Sequence, residues 1–390
     1  MSAAAEPAAQ PAAAASVAAL VVGILGATLC LAGWFVAERQ FFRSWLFAFI
    51  FWVEPALGCL GFLMLHHLVG GHWGRAVRRF LEAGSLTLPL LALLFLPVAF
   101  GLFELYPWAG PHALEEELLR HKRPYLNPPF FCVRTALYFL VWTGLAAGLA
   151  RWSSAEAART RSHPDEAEDA RRRLRLISAP GVILFAFAAN FASYDWTMSL
   201  EPEWFSTMYG FLFLAHQAPV TLALLIMAAV ILGDKGFLSR YLDPSRMADL
   251  GGLLLAFIFI WMYASFFQYM LVWFGDLPEE VTWYVRRNTG AWRWIAWFFF
   301  LFHFAVPFGI LIFRANRSSP TTLAWLGAGL TLVHLVYVFW FVVPSFHPEG
   351  FHVHWLDAAA WLAMGGLWLW WFLRMLAGRP VFPPLEKAHG

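Results

Sequence analysis

Apolar stretches of about twenty residues recur along the chain, over roughly 16–37, 45–69, 84–106, 130–150, 176–194, 204–232, 250–274, 291–313, 322–343 and 354–376. Each is long enough, at 1.5 Å per residue, to cross a hydrocarbon core ~30 Å thick. The pattern predicts an all-α, polytopic membrane protein of about ten transmembrane helices filling 16–376. The fifth run is the shortest, because Asp195 closes it. Residues 1–15 are rich in Ala and Pro and carry one charge, Glu6, so they read as a disordered tail rather than a secretory signal. Residues 377–390 read as a short cytoplasmic tail.

An even number of spans places both termini on one side. That side gathers 18 of the Lys and Arg residues against 8 on the other, with Arg134 inside a span. The positive-inside bias therefore predicts cytoplasmic termini. The longest polar segment on that side is Arg151–Arg175, where acids at 165–169 precede the basic run Arg171–Arg173. It predicts an amphipathic surface helix that divides four spans from six.

Composition agrees. Only 13% of residues are charged, where a soluble globule carries roughly 25%. The net charge of +2 gives no argument for a nucleic-acid partner, and none is expected; lipids are the expected surroundings. The three cysteines, Cys30, Cys59 and Cys132, form neither CxxC nor CxxCH, so no disulfide framework, thiolate metal site or covalent haem is predicted.

Against this apolar background, three spans running in the same direction carry an ionisable residue beside a proline: Glu54-Pro55, His216 with Pro219, and His303 with Pro307. Ionisable groups at membrane depth are costly and usually mark an ion or proton route, a ligand set or a buried partner. The prolines free backbone carbonyls nearby. Tyr263 and His334, on spans running the other way, fall at similar depth. Each of these groups can donate and accept a proton, so together they predict a proton path of Glu54, His216, Tyr263, His303 and His334. Asp195, Glu104 and Asp357, near span ends, are candidate mouths for it, and Glu82 is a further acid at the inner end of span three. Gly58 and Gly61, one and two turns after Glu54, predict a groove for a packed neighbour. A bis-histidine haem is disfavoured, since the midplane histidines fall one per helix. No catalytic residue, metal ligand or cofactor-binding residue is assigned.

Three stretches carry a family resemblance: Phe51–Gly74 (FWVEPALGCLGFLMLHHLVGGHWG), Arg123–Phe139 (RPYLNPPFFCVRTALYF) and Ser193–Gly210 (SYDWTMSLEPEWFSTMYG). The chain resembles the NrfD-like, polysulfide-reductase-type membrane subunits, and among them the ActF-type subunits of bacterial alternative complex III. That resemblance implies a multi-pass subunit of a quinol:electron-acceptor oxidoreductase in the bacterial inner membrane, respiratory or photosynthetic, built around two four-helix bundles with peripheral helices. It implies as partners a sister NrfD-like subunit of the ActC type, an iron–sulfur subunit, c-type cytochrome subunits and small membrane subunits. Iron–sulfur clusters and c-type haems would belong to those other subunits. The better-supported quinol site would lie in the sister, leaving this subunit a role in proton translocation and assembly. Glu54 and Asp195 match the family's stretches. Two readings compete: a purely structural membrane anchor and a secondary transporter, which broken helices also allow. With 22 Trp and 39 Phe, an aromatic-lined quinone site in this chain also stays open.

Overall fold

The computed structural model describes residues 9–377 except 112, 114, 160–163, 234–241 and 349. Among these, all regular structure is helical, and ten helices are long and apolar enough to cross a membrane. They are α1 (Ala9–Val36), α2 (Glu38–Val69), α3 (Trp73–Phe100), α4 (Pro128–Arg159), α5 (Pro164–Trp196), α6 (Tyr209–Leu232), α7 (Pro244–Gly275), α8 (Trp292–Leu311), α9 (Pro320–Val342) and α10 (Trp355–Ala377). α1 starts at Ala9, seven residues ahead of the predicted start, because 9–15 is Ala-rich and Ala favours helix. The remainder of the predicted N-terminal tail, 1–8, and residues 378–390 lie outside the described residues.

Helix starts follow local chemistry. Asp243 accepts a hydrogen bond from the Arg246 backbone N–H and Ser319 from that of Thr322, each followed by Pro at the first helical position. The Asp357 carboxylate takes the His354 backbone N–H, closing the first turn of α10. Between α4 and α5 the expected separate surface helix is absent from the described residues. α4 instead runs on to Arg159 and α5 starts at Pro164, so the basic cluster Arg171–Arg173 extends a spanning helix. Nothing from Arg151 to Arg159 breaks a helix, and Pro164 suits a helix start. α3 is segmented at Leu86–Thr87 and Phe95, close to Pro89 and Pro97, which lack the N–H that would continue the ladder.

α2 is the centre of the molecule, buried on nearly every side and packed on α3, α5, α6, α9 and α10. α4 pairs with α5, and α6 packs with α7 and α9. Gly58 faces Thr221 of α6 and Gly61 faces Phe185 of α5, so the small-residue face of α2 is where its neighbours come closest. α1 lies at the periphery and packs chiefly along α10. A Cβ at Gly26 would lie 2.6 Å from the Ala363 backbone nitrogen, and one at Gly23 2.8 Å from that of Leu367.

Candidate functional site

The polar interior forms where α2, α6 and α9 meet. Pro55 leaves the Phe51 carbonyl without its helical partner, and Pro219 does the same for Ala215, yet both helices continue through their prolines. His303 sits on a π-helical turn, Phe300–Ala305, within α8 and just before Pro307. Such wide turns re-aim side chains and occur often at functional sites.

Two imidazoles converge on one carboxylate oxygen. His216 Nδ1 lies 3.0 Å from Glu54 Oε2, in hydrogen-bond geometry, and His334 Nε2 approaches the same oxygen to 2.7 Å. Glu54, His216 and His334 are essentially inaccessible to solvent, at 0%, 0% and 1% exposure. The Phe51 ring packs against His334 and the Phe213 ring against His216. A net charge here would be costly. A carboxylic acid beside two neutral imidazoles is neutral, and so is a carboxylate beside one imidazolium and one imidazole. A proton can therefore pass between these groups without changing the charge of the cluster.

His303 belongs to the same neighbourhood but does not touch Glu54. Its ring stacks on Trp261 with centroids 3.9 Å apart and lies 6.0 Å from Tyr337. Tyr337 in turn lies 4.8 Å from His216 and 6.3 Å from His334, ring to ring. The aromatic pair Trp261 and Tyr337 thus bridges His303 to the central three.

The donor set of Glu54, His216 and His334, with one ligand atom from each all within 4.8 Å, is also one that a transition metal accepts. Metal-bound imidazoles normally give their other ring nitrogen to an acceptor. Among the described residues His216 Nε2 and His334 Nδ1 have no such partner.

The remaining predicted residues divide differently. Tyr263 is 68% exposed, stacks on Phe267 and faces away from the cluster. On α7 the inward stripe is Trp261, Ala264 and Gln268, and Tyr263 falls outside it. Asp195 is buried rather than at a surface: Arg134 clamps it with two hydrogen bonds of 2.8 Å, and Tyr138 donates a third at 2.8 Å. The guanidinium lies against the rings of Tyr125 and Phe130, 3.8 and 4.4 Å from their centroids. Burial, reinforced by the Asp195 carboxylate, pushes the Tyr125 hydroxyl above its ordinary range. Glu104 makes an exposed ion pair with Arg39 at 2.9 Å. Asp357 is occupied by Ser44 at 2.5 Å, by Gln40 and by the His354 backbone N–H just ahead of α10. Glu82 is buried among Arg78, Arg79 and Ser153. These four acids hold helices together at the ends of the bundle.

Two features were missed from sequence. Tyr337 stands three residues after His334, so the i, i+3 relation on one helix face was the available signal. Glu201, in the 193–210 turn, binds Arg287 at 2.8 Å, Arg286 at 3.1 Å and Ser345 at 2.7 Å. The charge pattern alone gave no sign that these distant residues meet. No protein-family model matches this chain, and no curated protein matches it.

Proposed function

We propose that this chain is a membrane subunit that passes protons through the Glu54–His216–His334 cluster in the service of a redox complex. The single observation that carries this reading is the convergence of two buried imidazoles on one buried carboxyl group at 2.7 and 3.0 Å. Ion-pairing alone is served better by an Arg clamp, as at Asp195. A carboxyl with two imidazoles instead assembles groups that each give and take a proton. His303, reached through Trp261 and Tyr337, is the next proton-exchanging group along the route, and Tyr263 has no part in it.

The complex is of the quinol:electron-acceptor class known as alternative complex III, with this chain in the ActF position and an ActC-type sister beside it. In that reading both termini face the bacterial cytoplasm, α2–α5 and α6–α9 form the two four-helix bundles, and α1 with α10 is peripheral. Iron–sulfur clusters and c-type haems reside in partner subunits. The resemblance of residues 51–74, 123–139 and 193–210 supports this assignment.

The test is the proton-to-electron ratio of the intact complex in sealed vesicles, driven by quinol. Glu54→Gln removes the exchangeable carboxyl while keeping its shape, and it should lower the ratio or the turnover with the complex still assembled. Tyr263→Phe, on the lipid side of α7, should change neither. An unaltered ratio and turnover in Glu54→Gln would sink the proposal and leave the anchoring role.

A further inference from the structure

The outward faces of α4 and α5 both end in arginine. On α4 the exposed stripe is Phe130, Val133, Leu137, Leu140, Gly144 and Ala147, at alternating intervals of three and four residues. The next step along it is Arg151, also exposed. From Phe130 to Ala147 the stripe covers about 26 Å at 1.5 Å per residue, which nearly fills a hydrocarbon core. Arg151 therefore stands at headgroup depth. On α5, which packs along α4, the exposed stripe of Phe187, Ile183, Pro180 and Leu176 leads into Arg172 and Arg173.

Trp152 sets the register of the two helices, because its ring lies 4.4 Å from the Arg173 guanidinium. Arg151 is thus level with the basic turn of α5, and Arg151, Arg172, Arg173 and Arg175 form one exposed band across the helix pair. Among the described residues none of these four has an ion-pair partner. Their neighbours differ: Arg171 is matched by Glu168, and Arg78 and Arg79 by Glu82 and Glu156. Asp169, also exposed, lies a turn beyond the band, away from the apolar stripe. Four like charges held together repel one another, so a counter-anion is favoured there. What distinguishes the place is that the charges cap two apolar stripes. No atom lies within 4 Å of where a Cβ would stand on Gly144 or Gly148, so α4 is shallow one and two turns below Arg151.

We propose that this face binds an anionic phospholipid, with the headgroup phosphate on Arg151, Arg172 and Arg173 and an acyl chain along the shallow face of α4. Phosphate answers the unmatched guanidinium charge and the chain answers the apolar stripe. A zwitterionic headgroup would bring a second cation to the band and is disfavoured. The proposal is independent of any proton role for Glu54.

The full chain in detergent micelles, titrated with phosphatidylglycerol carrying a pyrene-labelled chain, reports binding through energy transfer from tryptophan. The signal should saturate. Unlabelled phosphatidylglycerol should compete, whereas phosphatidylcholine and inorganic phosphate should not. Added salt should weaken the affinity. Arg151→Gln and Arg173→Gln should each lower apparent affinity about fivefold, the worth of one basic residue near a charged lipid surface. Arg314→Gln, an exposed arginine between α8 and α9, should bind as wild type. Equal affinity for phosphatidylcholine, or binding indifferent to salt, would overturn the proposal in the wild type alone, whatever the folding of the variants. So would unchanged affinity in the Arg151→Gln, Arg173→Gln double variant. If that double variant keeps its lipid but loses a partner chain on purification, the band is a protein contact and the proposal falls.

Discussion

Removing the carboxylate of Asp195 separates a structural role from a functional one. The pair it forms with Arg134 is bidentate, both contacts 2.8 Å, with Tyr138 adding a third hydrogen bond at 2.8 Å. The Asp195 side chain is fully buried and that of Arg134 is 9% exposed, so solvent screens the pair little. Asp195→Ala would leave a guanidinium buried against two aromatic rings without its counter-charge. Breaking one partner of a buried pair costs about 3–5 kcal/mol, mostly as the penalty on the charge left behind. The double variant Asp195→Ala with Arg134→Leu removes both charges and should recover a large share of that loss. Reversible unfolding in mixed detergent–SDS micelles, followed by tryptophan fluorescence, measures both. The reasoning fails if Asp195→Ala unfolds within about 0.5 kcal/mol of wild type, a change typical of surface substitutions. It fails equally if the double variant is no more stable than the single one. A stable Asp195→Ala that assembles but has lost turnover would return this acid to the proton route.

Two further outcomes follow from packing and charge. A Cβ at Gly58 would overlap the Thr221 side chain, so Gly58→Ala should cost about 1–3 kcal/mol by overpacking, partly relieved by Thr221→Ala, in the same unfolding assay. Tyr125 is held protonated in the fold above its ordinary value, so its contribution is intact below about pH 10 and is lost as pH rises beyond that. Stability of the wild type should fall above about pH 10 more steeply than that of Tyr125→Phe, whose ring keeps its contact with Arg134.

Depth along the chain was legible because apolar runs and helical rise convert residue number directly into position across a bilayer. That is why Glu54, His216 and His334, each placed near midspan, do meet. Azimuth was not legible in the same way. Tyr263 shares their depth, yet it points outward, and the long apolar run of α7 gives little periodic contrast by which to orient it from sequence. Tyr337 was hidden for the converse reason: it is one more aromatic residue among many, and only the helix face it shares with His334 distinguishes it. The partners of the acids near span ends were not legible either. Arg134 is 61 residues from Asp195 and Arg287 is 86 from Glu201, and such pairings depend on which helices lie side by side. The helical segments of 151–175 were recognisable, but their continuity with α4 and α5 rested on the lack of a breaker, which charge pattern does not report.

The pairing of α1 with α10 bears on how the protein is made. α1 has its principal neighbour in α10, more than 300 residues later, and their glycine seam cannot close until residues near 366 exist. At about 5–20 residues per second, that delay is on the order of 20–70 s. Throughout this interval α1 must rest in lipid without its partner. Its sequence suits the wait: from Ala12 to Val36 it holds no charged residue, and most of its surface is apolar. Closure of the α1–α10 seam would then be a late step of assembly, open only once α10 has been made after α2, α6 and α9.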